Sequence, residues 1–327
     1  MADPLVRTLA EWRQFFKENG QAHEVLELMD QDNSINDDIP WMEANHKDGH
    51  VSVIRTKLPE VYWRRLYKGV PNSKTGVSQV KDATAMMEAR NNLDVKLLKI
   101  QGDQAAAYRA QEDRGFMEAF RQKLATTLFY GDSNSNPDEF NGLSMRYPTK
   151  TSPGVVDAAG TGSACTSMWA IVWGATDVHG IFPNGSKAGL THRVLPEQDV
   201  LDGDGNPYRA VASLFEWDCG LTVRDWRSVI RICNIDTTKL TLKKGDSGFI
   251  DLHRLTIIAK NKIPTAKRAR LVWYCNQDVL TALELQASDA GNVQLMYGEL
   301  FDSKNVPFLH GRPVRQCDAI LSTEAAI

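Results

Sequence analysis

The sequence predicts a mixed α+β chain whose strands and helices come in runs, without the regular alternation that would build a doubly wound parallel sheet. Three observations carry that expectation: one long segment with helical periodicity, a strand-rich remainder behind it, and two shorter helices set among those strands. Of 327 residues 42% are hydrophobic and 24% charged, the balance of a globular protein able to bury a sizeable core. The length allows two or three lobes, interleaved in sequence if they belong to one fold.

Residues Leu5 to Phe16 read as a short amphipathic helix, with Leu9, Trp12 and Phe16 three and four apart. In Asp30 to Asp38 six residues are Asp or Asn, so an exposed, extended linker is expected there. Val51 to Leu58 and Val61 to Trp63 then lead into the turn-rich stretch Lys68 to Gly76, followed by Val77 and Val80. Two strand-like limbs about such a turn predict a long hairpin or paired loop. Arg55, Tyr62, Trp63, Arg64, Arg65 and Tyr67 are poor residues for a free loop and good ones for a loop that lies on something, since aromatic and arginine side chains dominate interface energetics.

Asp103 to Tyr130 is the clearest helix. Tyr108, Phe116, Phe120, Leu124 and Leu128 fall on one apolar line with Met117 beside it, while Arg109, Asp113, Glu118, Arg121 and Lys123 take other faces and only Gly115 interrupts. At ~1.5 Å per residue it reaches roughly 40 Å, the length of a strut. Gly131 is expected to cap it, ahead of a loop over Asp132 to Glu139. Strands are expected at Ser167 to Trp173, Tyr208 to Leu214, Ser228 to Cys233, Arg270 to Cys275 and, last, Gly311 to Leu321. Helices are expected over Phe249 to Lys260, stopped by Pro264, and over Gln277 to Ala287, capped by Asn276.

Several functions are disfavoured at once. A formal net charge of -3, from 38 basic and 41 acidic residues, gives no bulk drive toward phosphate backbones, and no cofactor-binding motif is found. The first twenty residues carry Glu11, Arg13, Lys17 and Glu18 and lack a secretion signal's apolar stretch, and no window suits a membrane span, so the chain is expected in the cytosol. Its five cysteines are odd in number and widely spaced, as reduced core thiols would be. No phosphate loop, zinc-protease motif or nucleophile elbow is present. Asp132, Asn134, Asn136 and Asp138 space oxygens as a calcium loop does, but Pro137 and Leu143 stand where its glycine and bidentate acid belong; Asp202 to Asn206 fails likewise at Ser213. His46, His50, His179 and His192 lack ligand spacing, so no metal is expected. Asp157, Asp218, Asp225 and Asp236 are read as turn caps or partners of Arg224 and Arg227, with a carboxylate pair for carbohydrate hydrolysis as the rival from another class.

One stretch is more informative. Leu124-Ala-Thr-Thr-Leu-Phe-Tyr-Gly-Asp132, then Asn136-Pro-Asp-Glu-Phe-Asn-Gly-Leu143, resembles the junction after the spine helix in tailed-bacteriophage major capsid proteins of the HK97-like fold. Thr166 to Gly174, His179 to Leu190, Phe215-Glu-Trp-Asp-Cys-Gly-Leu-Thr-Val-Arg-Asp-Trp-Arg227 and Arg231-Ile-Cys-Asn-Ile-Asp236 extend the resemblance over most of the chain from Leu58 onward. It implies an N-terminal arm (1–49), an extended loop (50–95), a peripheral domain (96–165) with its spine helix at 103–130, and an axial domain interleaved with the remaining peripheral strands (166–327). It also implies self-assembly into pentamers and hexamers of an icosahedral shell around double-stranded DNA, made in the bacterial cytoplasm and carried in the virion. The loop residues Arg55, Tyr62, Trp63, Arg64, Arg65 and Tyr67 would then meet an adjacent subunit. A separately encoded scaffolding protein, a portal protein at one vertex and a decoration protein are the partners it allows; catalysis and a lysine–asparagine crosslink at Lys74 are not expected. An encapsulin-like compartment is the alternative within the same fold.

Overall fold

The computed structural model describes residues 31–288, 295–300 and 303–327; the helix expected at Leu5 to Phe16 lies outside the described residues. In chain order the elements are α1 (Ile35–Asp38), β1 (Trp41–Glu43), β2 (Gly49–Lys57), β3 (Gly76–Asp94), α2 (Val95–Gln101), α3 (Ala105–Tyr130), α4 (Leu143–Arg146), β4 (Val155–Asp157), β5 (Cys165–Val172), β6 (Val178–Phe182) and β7 (Thr191–Val194). They continue with β8 (Gln198–Leu201), β9 (Pro207–Val223), β10 (Val229–Asp236), α5 (Leu252–Lys262), β11 (Leu271–Cys275), α6 (Gln277–Ser288), β12 (Leu295–Leu300), β13 (Ser303–Leu309) and β14 (Arg312–Gln316).

The described strands form two seven-stranded sheets. The first is built on β3 and β9, antiparallel from Thr84 opposite Gly220 to Asp94 opposite Ala210. On one side β2 pairs with the far half of β3, Gly49 opposite Ala83 and Lys57 opposite Gly76, so the expected hairpin is present. On the other side β6 and then β1 cover the C-terminal end of β9, while β7 and β8 cover its N-terminal end. The strand expected at Tyr208 to Leu214 is thus one part of a 17-residue element.

The second sheet runs β12-β13-β14-β11-β5-β10-β4. Its centre, β5, is buried at every position because it is covered on both faces. Trp169 and Ile171 enter one core with Leu124, Leu128 and Phe129 of α3; Met168, Ala170 and Val172 enter the other with Leu252 and Ala259 of α5 and Val279 and Leu283 of α6. Both of these helices start as their caps dictate: the Asp251 carboxylate accepts from Arg254 N at 2.9 Å and the Asn276 side chain from Val279 N at 3.1 Å. All five cysteines are free and buried, and burial pushes the thiols of Cys219 and Cys317 up to about 12.

The strut differs from its sequence reading in two ways. It begins at Ala105, behind α2 and a 3₁₀ turn at Gly102–Gln104. Asp113, read as a residue of another face, is buried, because three strands' side chains converge on it: Asn91 Nδ2 donates to it at 3.2 Å, His192 Nε2 lies at 3.6 Å, and Ser213 Oγ at 3.5 Å. The clamp fastens the helix to β3, β7 and β9, with Phe116 stacked on Phe215 at 5.6 Å beside it. Gly131 caps the helix as expected, with φ -53° and its N–H donating to Thr127 O. A Cβ there would sit 2.7 Å from Thr127 O, and one on Gly142 2.6 Å from the same oxygen; the turn requires two glycines because two backbones touch.

The segment expected to be an exposed linker is held instead. Asn33 and Ile35 are buried, and Asn33 Oδ1 accepts from Ala319 N at 3.0 Å and from Cys317 Sγ at 3.3 Å. The final strand ends at Gln316 rather than Leu321, since the residues after it turn back across the core. There Arg231, buried, donates to Glu324 at 2.9 Å and to Ser167 Oγ at 3.1 Å while lying 5.1 Å over the Trp169 ring.

Candidate intersubunit surface

The loop between β2 and β3 begins at a rigid root. Asn45 receives Val51 N and donates to Val51 O, both at 2.8 Å, so one side chain takes the place of a backbone partner at the strand's start. Gly49 has φ +152°, and a Cβ there would run into the Asp82 carbonyl of β3, so only glycine permits the two strands to meet here. Below them the Arg146 guanidinium of α4 meets the buried Asp82 carboxylate at 2.8 Å, and His50 packs edge-on against His179 of β6, ring centroids 5.8 Å apart. Burial and the neighbouring His50 and Arg224 hold the His179 imidazole down at about 4.

Beyond this root the ribbon leaves the body of the subunit. Val53 and Val77, on its two strands, are exposed, and residues 58–75 are exposed throughout. Trp63 and Tyr67 are fully exposed, Val61 is 93% exposed and Leu66 89%. Tyr67 stands in the left-handed region, φ 62°, where a tyrosine is strained unless something holds it. Ser73 Oγ donates to Glu60 O at 2.9 Å, and the Tyr62 hydroxyl donates to the Glu60 carboxylate, which raises the Tyr62 phenol above its ordinary value. These bonds shape the loop but leave Val61, Trp63, Leu66 and Tyr67 uncovered.

All six residues picked from the sequence, Arg55, Tyr62, Trp63, Arg64, Arg65 and Tyr67, lie on this ribbon and its tip. Trp63 is fully exposed and packs on none of the described residues of its own chain. Sequence reasoning missed Leu58, Val61, Leu66 and Val70, which are exposed alongside them. Their spacing hid them: Leu58, Tyr62, Leu66 and Val70 stand four apart, a helical period that predicts a buried face, yet no helix forms at 58–75.

The other patterns resolve into turns and pairs. Asp132 accepts from Asn134 N at 2.9 Å and Ser135 Oγ at 2.6 Å, and Asp202 from Asn206 N at 2.7 Å; each closes a loop. Asp157 takes Asn234 Nδ2 at 2.8 Å, Asp218 takes Ser186 Oγ at 3.5 Å, and Asp236 pairs with Lys239 at 2.8 Å. Burial disfavours the charge on Asp225, but hydrogen bonds from Arg227 and Lys267 outweigh it and hold that carboxyl below its ordinary value. Among the described residues no three potential metal ligands gather, and no helix is long and apolar enough to cross a membrane.

An isolated two-stranded ribbon is marginal in water, and contiguous exposed apolar area marks a contact surface. The exposed ribbon therefore marks the chain as a structural subunit with an uncovered contact surface. The family model described as major capsid protein GP7 matches residues 17–327, and the chain belongs to that family. A chain of bacteriophage Epsilon15 is similar to it at 30% identity and a TM-score of 0.75, over 100% of this chain and 98% of that one. Fainter likenesses reach the bacteriophage JBD30 capsid (8% identity, 94% of each chain, TM-score 0.49) and the SrpI encapsulin of Synechococcus elongatus PCC 7942 (10% identity, 73% of this chain, 99% of that one, TM-score 0.45). Among curated proteins none is similar to it. The protein is thus a phage major capsid protein with the HK97-like α+β fold, a self-associating component of the virion.

Proposed function

We propose that the chain forms pentamers and hexamers which close an icosahedral shell around the double-stranded DNA of a tailed phage, and that the loop at residues 58–75 is the contact that joins neighbours. The observation that carries this reading is the loop itself: Tyr62, Trp63, Leu66 and Tyr67 lie exposed at the end of a ribbon anchored only at its root. Aromatic anchors give each contact its affinity, and Arg55, Arg64 and Arg65 give it register by pairing with acids opposite. Modest contacts suffice, because a closed shell repeats them around every subunit.

In this reading residues 1–49 are the arm, 50–95 the extended loop, 96–165 the peripheral domain with its spine, and 166–327 the axial domain together with the peripheral strands that return to β3. A separately encoded scaffolding protein guides assembly, a portal protein occupies one vertex, and the outer face is free for a decoration protein. The role is structural and needs no catalysis. A net charge of -3 suits a container that encloses DNA without gripping it. Negative-stain electron microscopy of the full chain, alone and with the scaffold, tests the proposal: closed shells or capsomers of five and six are expected, and a chain that stays monomeric in both conditions contradicts it.

A further inference from the structure

The far end of the same long sheet carries the loop's electrostatic complement. Residues 55–74 hold six basic side chains, Arg55, Lys57, Arg64, Arg65, Lys68 and Lys74, against the single acid Glu60. Residues 194–206, which make β8 and its turns, hold Glu197, Asp199, Asp202 and Asp204 and no base at all. Glu197, Asp199 and Asp204 are exposed, and so are the apolar Val194 and Leu201 among them. Arg209 of β9, opposite Asp199 in register, meets Glu197 at 3.3 Å, and Asp202 is committed to its turn, so Asp199 and Asp204 are the remaining exposed acids of this edge.

The register fixes where the two surfaces lie. The basic loop leaves β3 at Gly76, whereas the acidic hairpin flanks the opposite end, with Leu201 opposite Pro207 and β9 Ala210 opposite Asp94. The 19 residues of β3 lie between them, roughly 60 Å at ~3.3 Å per residue. A loop anchored at one end of such a ribbon cannot reach the hairpin at the other end of its own chain. Complementary patches at opposite ends of one rigid element are what a head-to-tail contact needs, and head-to-tail contacts generate rings where the rotation closes.

We infer that the acidic hairpin at residues 194–206 is the docking site for the basic aromatic loop of a second copy of this chain, Arg64 and Arg65 meeting Asp199 and Asp204 while Val61 and Leu66 cover Val194 and Leu201. This rests on the assembly reading above and adds the acceptor to it. Opposite charge at the two ends steers the encounter and rejects the reversed, tail-to-tail approach, since two acidic hairpins repel.

The test uses shells assembled from the full chain with mixed light and ¹⁵N-labelled subunits, treated with a water-soluble carbodiimide, which joins a lysine directly to a touching carboxylate. Peptides linking Lys68 or Lys74 to Glu197, Asp199 or Asp204 in mixed-isotope pairs are expected. Links from those lysines confined to other acids overturn the acceptor while leaving assembly intact; failure of the unaltered chain to form particles both alone and with its scaffold overturns both. A second arm reverses charge. Arg64→Glu with Arg65→Glu, and separately Asp199→Lys with Asp204→Lys, should each lower particle yield about tenfold or more, with the four changes together restoring most of it. Circular dichroism of each unassembled variant checks that it folds, and absence of any rescue between folded variants contradicts the pairing.

Discussion

Replacing Trp63 by alanine separates an intersubunit anchor from a side chain that merely supports its own fold. Trp63 is fully exposed in the subunit, so its removal leaves subunit stability within ~0.5 kcal/mol of the parent, as for other surface changes. At a contact the arithmetic differs. A tryptophan buries ~150–250 Å², which at ~25 cal/mol/Å² sets a ceiling of about 4–6 kcal/mol. Ordering and incomplete desolvation reduce that toward the ~2 kcal/mol of an ordinary hot spot, or about thirtyfold in association per contact. The assay has two readings: urea denaturation of the unassembled subunit followed by tryptophan fluorescence, and the concentration at which light scattering first reports assembly. An unchanged denaturation midpoint with a much higher assembly threshold is expected. A lowered midpoint, or an unchanged threshold, refutes the reasoning.

Glu324→Ala leaves the buried Arg231 without its carboxylate, and a broken buried pair costs ~3–5 kcal/mol; urea denaturation should show it, and a loss under ~1 kcal/mol contradicts the role given to that pair. Gly142→Ala puts a methyl 2.6 Å from Thr127 O and 2.8 Å from Gly131 N, both backbone atoms; we expect a loss of ~1–3 kcal/mol in the same measurement. Acid should also weaken the subunit through His179, whose pKa lies at about 4 when folded and near 6.5 when unfolded. Between those values the unfolded chain binds the extra proton, so stability is full above the upper one and falls as pH drops toward the lower, by on the order of 3 kcal/mol. Denaturation midpoints across that range check it, with a shallower decline expected in His179→Asn; equal slopes in both proteins would count against this histidine.

Much of the fold was legible because it rests on local pattern. The α3 stripe, the apolar run of β5 and the Asn276 cap each rest on residues close together in sequence. What escaped depends on distant partners. Nothing near Asn33 says that it will bind the backbone at Ala319, and nothing near Asp113 says that Asn91, Ser213 and His192 will close on it. The strand β3 was only begun in the sequence reading, since Ala83-Thr-Ala-Met-Met-Glu-Ala-Arg90 is rich in helix formers; its extended form follows from pairing with β9 along its length. The candidate surface was legible from composition and not from spacing: tyrosine, tryptophan and arginine crowd beside the turn-rich stretch Lys68 to Gly76, the residue types that are enriched where subunits meet.

The claim that the loop is completed by a neighbour is tested most directly by hydroxyl-radical footprinting of the same protein before and after assembly, read out by mass spectrometry at Trp63 and Tyr67. Both side chains should oxidise readily in the free subunit and become strongly protected in closed shells, while Met86, exposed on β3, serves as an internal reference. Equal oxidation of Trp63 and Tyr67 in free subunits and in shells would contradict the account.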